Sequence, residues 1–178
     1  MGAGGRYDLK EYLASRYGTH VLSTFGKEDS ALMRAGKTHG INFNLGRRFV
    51  NSIAAHSALE YALLLKGPTV QHELAELFFS SYFEGGENIA DKKVIASSLV
   101  KCGFSALEVQ EYEEQLEEGS LIQMVLDKDN RAKRSGIKSV PHVVVSTGSS
   151  TGTNEVEVRS EMGNGEISGI LRSLVGLD

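Results

Sequence analysis

Cysteine occurs once in the 178 residues, at Cys102. One thiol cannot close an internal disulfide, form a Cys-x-x-Cys redox pair or build a multi-cysteine zinc site. Proline occurs only at Pro68 and Pro141. No apolar run approaches the roughly 20 residues needed to span a bilayer. The start, Met1 to Arg6, lacks the apolar core of a signal peptide, which predicts a cytoplasmic chain. It also fails the myristoylation pattern, because position six is Arg6. No basic stripe is present, and the net charge is -4. The densest basic run, Lys128 to Lys138, is interleaved with Asp129 and Asn130 and reads as a solvated helix face. Nucleic acid and anionic membrane are therefore not expected partners. Gly85-Gly86 and Gly163-Asn164-Gly165 read as turns, not phosphate-binding loops, and no cofactor is expected. The histidines His20, His39 and His72 show no metal-ligand spacing.

What remains is an ordinary composition, 40% hydrophobic and 24% charged, enough for one domain or a small domain with a large insertion. Asp8 should cap a helix from Leu9 to Tyr17 that Gly18 ends. A short helical piece, Ser30 to Ala35, precedes an expected loop from Gly36 to Phe43. From Asn51 the apolar positions Ala54, Ala58, Leu59 and Ala62 recur at helical spacing, and Gly67-Pro68 stops that helix. Thr69 starts another, which Gly85-Gly86 terminates. Asp91 caps a helix from Lys92 to Lys101, and Ser105 with Glu108 forms a capping box. A last helix of this block runs from Ser120 to Ser135. Then come a strand from Val143 to Ser146, a loop from Thr147 to Asn154, a strand from Glu155 to Met162 and a helix from Ile167 to about Val175. Two parts are predicted: residues 1–135, helical, and residues 136–178, arranged ββα.

The junction, Arg134 to Val145, carries the leading site candidates: Val140, Pro141 and His142. Proline has a fixed φ and no N–H, so it suits the first residue of a strand or an edge. Two readings stand. Either Pro141 opens a strand and does nothing else, or its bond to Val140 is cis and turns the Val140 backbone outward, where an extended peptide or a thiol can pair with it. His142 either lines that cleft or faces solvent at a strand edge. His56, on an apolar helix face, reads as a hydrogen-bonded core residue. Cys102 stands at a helix C-terminus, where the dipole raises a thiol pKa and Lys101 lowers it weakly, so an inert thiol is expected. The six glutamates between Glu108 and Glu118 read as a solvated face.

Four stretches together resemble the DsbA-like thioredoxin-domain family of the FrnE type. They are Tyr12-Leu13 with Arg16-Tyr17-Gly18; Asn51-Ser-Ile-Ala-Ala-His56 with Ala58 and Ala62; Leu77 through Asp91; and Ala132, Gly136-Ile137 and Ser139-Val-Pro141. The resemblance implies an α/β, thioredoxin-like fold interrupted by a large helical insertion, and thiol–disulfide oxidoreductase chemistry. By the same likeness Pro141 is the cis-proline and Val140 supplies the main-chain groups that hold a peptide or small thiol substrate. The family's first strand, Cys-x-x-Cys helix and second strand would precede Asp8, and the sequence does not hold them. The expected fold is therefore mostly α with a small C-terminal antiparallel sheet. No residue takes a catalytic role, and the chain is expected to be catalytically impaired. A non-catalytic peptide- or thiol-binding module and a kappa-type glutathione-dependent relative are the alternatives, though the serine that the latter would use falls in the same absent segment. The family's segment after the last strand becomes Ser160-Glu-Met-Gly163 here. Without the first strand, Val143 to Val145 would have an open edge, which predicts either a homodimer through it or loose order there.

Overall fold

The computed structural model describes residues 8–23, 27, 29–138, 140, 142–149, 152–159 and 164–175. Helix α1, Leu9–Tyr17, begins where the Asp8 carboxylate accepts hydrogen bonds from the Lys10 and Glu11 amides and ends at Gly18, whose φ is 88°. A 3-10 turn, Thr19–Ser23, follows. Helix α2, Ala31–Thr38, is longer than the sequence predicts: it continues through Gly36 to Thr38, where a loop was expected. The reason is packing. Gly36 is buried, and a Cβ there would lie 2.8 Å from both the Ile41 carbonyl oxygen and the Phe43 ring. The chain after α2 can fold back on the helix only because that position has no side chain.

Helices α3 (Ile53–Lys66), α4 (Pro68–Phe79), α5 (Lys92–Lys101) and α6 (Ala106–Glu118) form the core of the helical unit. Pro68 occupies the first turn of α4, where its missing N–H costs nothing. Ala58 and Ala62 of α3 are fully buried, and small side chains there admit Leu74 of α4 and Ile95 and Leu99 of α5, also fully buried. Tyr61 and Tyr112 fill the wider gap between α3 and α6, their ring centroids 5.8 Å apart. The buried hydroxyls of Ser57 and Ser98 each donate to the carbonyl four residues earlier, so neither is left unsatisfied. No helix among the described residues is long and apolar enough to cross a membrane.

The capping box of α6 is complete: Ser105 Oγ accepts from the Glu108 amide at 3.3 Å, and the Glu108 carboxylate accepts from the Ser105 amide at 2.6 Å. Lys66 of α3 reaches the same carboxylate at 2.9 Å, with its ammonium 4.7 Å from the Phe104 ring centre. The Ser105 amide, then Lys66 and the Ser105 hydroxyl, hold the Glu108 pKa at about 2. A depressed carboxylate pKa gives stability that is present above the unfolded value near 4.5 and is lost as pH falls toward 2. Ser105→Ala should cost about 1 kcal/mol at neutral pH. In urea titrations the wild type should lose more stability than Glu108→Gln between neutrality and pH 3, and parallel losses would count against the assignment.

Helix α7, Ser120–Arg134, leads to an antiparallel hairpin of β1, His142–Ser149, and β2, Gly152–Arg159. Both strands are eight residues long, and the expected Thr147–Asn154 loop is largely ladder: Thr147 pairs with Asn154, Gly148 with Thr153 and Ser149 with Gly152. Serine and glycine suggest a turn by composition, but the register set by Val143↔Val158 and Val145↔Val156 carries on through them. Helix α8, Asn164–Val175, packs on β2 and starts three residues earlier than predicted. Two compact units result, Met1–Lys128 and Asp129–Asp178.

Candidate functional site

Helix α4 continues directly into a single π-helical turn, Ser80–Glu84. The Gly85 amide bonds to the Ser80 carbonyl at 2.9 Å, which closes this wider turn. A Cβ at Gly85 would lie 2.8 Å from the Ser81 carbonyl oxygen, and one at Gly86, whose φ is 69°, would lie 2.7 Å from Asn44 Nδ2. Gly85 thus spares the turn's own carbonyl, and Gly86 lets residues 41–50 lie against the turn. That contact is hydrogen-bonded: the Asn44 amide donates to the Phe83 carbonyl at 2.7 Å, and the Asn42 amide to Glu84 Oε2 at 3.2 Å. Single π turns inside helices often mark functional positions.

The π turn projects its aromatic rings toward α3 and toward residues 41–50. A cavity of about 310 Å³ opens between them, with walls that include Phe49, Ala55, His56, Phe78, Phe79 and Phe83. Its volume is at the small end of ligand pockets and its lining is apolar and aromatic, the usual character of such sites. His56 provides a polar group on this wall. Its Nδ1 lies 2.8 Å from the Ser52 carbonyl, and a carbonyl can only accept, so Nδ1 holds the proton and Nε2 is the acceptor of the neutral ring. A second, wider cavity of about 530 Å³ shares Phe79 and Phe83 with the first and is bordered by Arg47, Glu76 and Glu84. The Arg47 guanidinium is buried among aromatic rings, 5.8 Å from Phe43, 5.9 Å from Tyr82 and 5.3 Å from Phe83, and donates to the Asn44 carbonyl at 2.9 Å. Cation–π contacts of this kind hold the rings in fixed orientations.

The residues singled out in the sequence fall in different places. Val140 is 87% exposed. Pro141 lies outside the described residues, and so does the geometry of its bond to Val140. His142 opens β1 opposite Arg159, is half-buried, and its Nε2 makes no hydrogen bond among the described residues. Ser160 to Gly163 also lie outside the described residues. His56 makes the hydrogen bond expected of it but is exposed on the cavity wall instead of buried in the core, because the apolar face of α3 is wider than the core it covers. Cys102 caps the C-terminus of α5, where burial, with a smaller contribution from Glu73, raises its thiol pKa. Among the described residues no three His, Cys, Asp or Glu side chains come together as a metal site. The sequence reading missed Arg47, Phe49 and the two cavities. The signal was there in Asn42-Phe-Asn-Leu-Gly-Arg-Arg-Phe49, with two aromatics and two arginines in eight residues.

Most of the first cavity's lining comes from two of the four stretches that carry the family resemblance, Asn51–His56 and Leu77–Asp91, while Phe49, Val50, Leu59 and Ala75 lie outside them. No curated protein matches the sequence. Among solved structures the chain is similar to the cytosolic disulfide reductase DsbM from Pseudomonas aeruginosa, with a TM-score of 0.56 and 15% identity, over 96% of this chain and 78% of that one. The shared fold is the thioredoxin fold of DsbA type, here mostly α with a small antiparallel sheet. The family model for the DSBA-like thioredoxin domain matches residues 28–162, so the chain belongs to that family of thiol–disulfide oxidoreductases.

Proposed function

We propose that this chain is a substrate-holding member of its family that binds an apolar peptide or small thiol and does not itself turn over disulfides. The observation that carries the reading is the state of Cys102. Exchange needs an attacking thiolate and a second sulfur to complete the transfer. The one cysteine of the sequence sits at a helix C-cap where burial holds it toward the neutral thiol. Attack by that thiol on a disulfide would leave a mixed disulfide that only an external thiol could displace, since the sequence holds no second one. Substrate holding is supported by the two aromatic cavities and by the resemblance that makes Pro141 the cis-proline and Val140 the main-chain contact for a peptide, with His142 next in sequence. Within the family the motifs favour the FrnE type, and the cytosolic location of the similar reductase supports the same compartment here.

The test is reduction of insulin disulfides by the purified chain with dithiothreitol present. The expected rate equals that of dithiothreitol alone, and Cys102→Ser changes nothing. Turnover that disappears in Cys102→Ser would overturn the reading. Binding of an aromatic-containing peptide, measured by fluorescence anisotropy, should persist in Cys102→Ser and weaken in Pro141→Ala.

A further inference from the structure

The cavity of about 310 Å³ offers a ligand few polar partners, and the chief of them is of one kind only. We propose that this cavity takes the side chain of a tyrosine in the bound peptide, with the phenol O–H donating to His56 Nε2. The inference names the substrate class of the substrate-holding reading and rests on it.

The tautomer of His56 sets the preference. Nδ1 is engaged by the Ser52 carbonyl at 2.8 Å, so the one ring nitrogen left for a ligand is Nε2. In the neutral ring that nitrogen accepts and cannot donate. Among the described residues no hydrogen bond occupies it. A ligand that bonds His56 must therefore bring a donor. A phenol does so while leaving its ring to the apolar walls at Phe78, Phe79 and Phe83. Ser52 adds a second partner. It lines the same cavity, and its hydroxyl makes no capping bond to α3. A hydroxyl both donates and accepts, so it can serve the remaining lone pairs of a phenol oxygen.

Size and charge narrow the choice. The volume is at the small end of ligand pockets, which suits one ring better than the two of an indole. The lining includes no carboxylate, lysine or arginine, so a charged group would be desolvated there without a counter-ion. The adjoining cavity sharpens this against anions. It sets Glu76 and Glu84 against Arg47, whose guanidinium is already held by the Phe83 ring and the Asn44 carbonyl. The whole chain carries a net charge of -4. Phenylalanine would satisfy the walls but brings no donor. Phosphotyrosine brings acceptor oxygens and negative charge where a neutral donor is wanted.

The test is titration of the full chain, in mildly alkaline buffer, with end-blocked Gly-Tyr-Gly, Gly-Phe-Gly and the phosphorylated tyrosine peptide, followed by NMR. The tyrosine peptide should bind about tenfold tighter than the phenylalanine peptide, the worth of one hydrogen bond. Phosphorylation should weaken binding tenfold or more. His56→Leu should bring the tyrosine and phenylalanine peptides level. In the wild type the His56 Nε2 resonance should shift with the tyrosine peptide and stay in place with the phenylalanine one, a readout that needs no variant to fold. Equal affinities for those two peptides, both lost in Phe83→Ala, would overturn the proposal and leave the substrate-holding reading standing. Binding of none of the three would overturn both. Tighter binding of Gly-Trp-Gly than of Gly-Tyr-Gly would overturn the choice of a phenol.

Discussion

Tyr112→Ala should bring the helical unit close to unfolding at room temperature. Tyr112 is among the largest fully enclosed side chains, 2% exposed, and its ring meets Tyr61 across the α3–α6 gap. Deleting a buried aromatic removes its transfer energy and leaves a cavity, at a cost of about 3–5 kcal/mol. Domains are stable by only about 5–15 kcal/mol, so one substitution takes a large share. The hydroxyl is a smaller contribution. It donates to the Ala54 carbonyl at 2.9 Å, and Tyr112→Phe should cost about 1 kcal/mol. Urea titrations of the two variants separate ring from hydroxyl, and near-equal losses would show that the ring does not fill the core as described.

The same pair of tyrosines predicts an alkaline limit. Burial first, then the nearby Glu111 and Glu108, pushes the Tyr61 pKa up to about 12 from 10.0. Burial, with Glu113, pushes Tyr112 in the same direction. A folded-state pKa above the unfolded one gives stability that is complete below about 10 and is lost as pH rises through the folded value. Tyr61 and Tyr112 should therefore ionise later in the folded protein than in the unfolded chain, so absorbance at the phenolate band should include a late rise. Tyr112→Phe should reduce that late rise.

The helices were legible because their boundaries are local chemistry. Asp8, Asp91 and Ser105 each accept a first-turn amide, and Gly18, Gly103 and Gly136 adopt positive φ just past helix ends. Those contacts span three or four residues and leave a pattern in the sequence. The misses are all non-local. Gly36 looks like a helix breaker until the Phe43 ring is seen against it. The ladder from Thr147 to Ser149 is set by β2, not by its own serine and glycine. The cavities stayed hidden for the same reason, since Arg47 and Phe83 are 36 positions apart and meet only because the Asn44 amide bonds to the Phe83 carbonyl. A motif told which residues matter without telling what they surround.

Phe83→Ala should abolish most of the affinity for an aromatic-containing peptide while leaving the fold intact. The ring is one of the two, with Phe79, that line both cavities, 6.1 Å from Phe79, 6.0 Å from Phe43 and 4.9 Å from Tyr82. Removing it merges the two spaces, withdraws one aromatic face from Arg47 and turns a fitted slot into an open trough. Losing one well-packed aromatic contact in a binding cleft is worth about 2 kcal/mol, roughly thirtyfold in Kd. The fold should survive because Phe83 is only half-buried, and its carbonyl still accepts from the Asn44 amide in the variant. Leu107→Ala gives the comparison. Leu107 is also apolar but is 74% exposed on α6 and lines neither cavity, so its loss should leave binding unchanged. Calorimetric titration with the same peptide decides the matter. Equal affinities in the two variants would place the binding surface elsewhere, and a thirtyfold gap with matching thermal unfolding curves would assign it to the aromatic wall of the π turn.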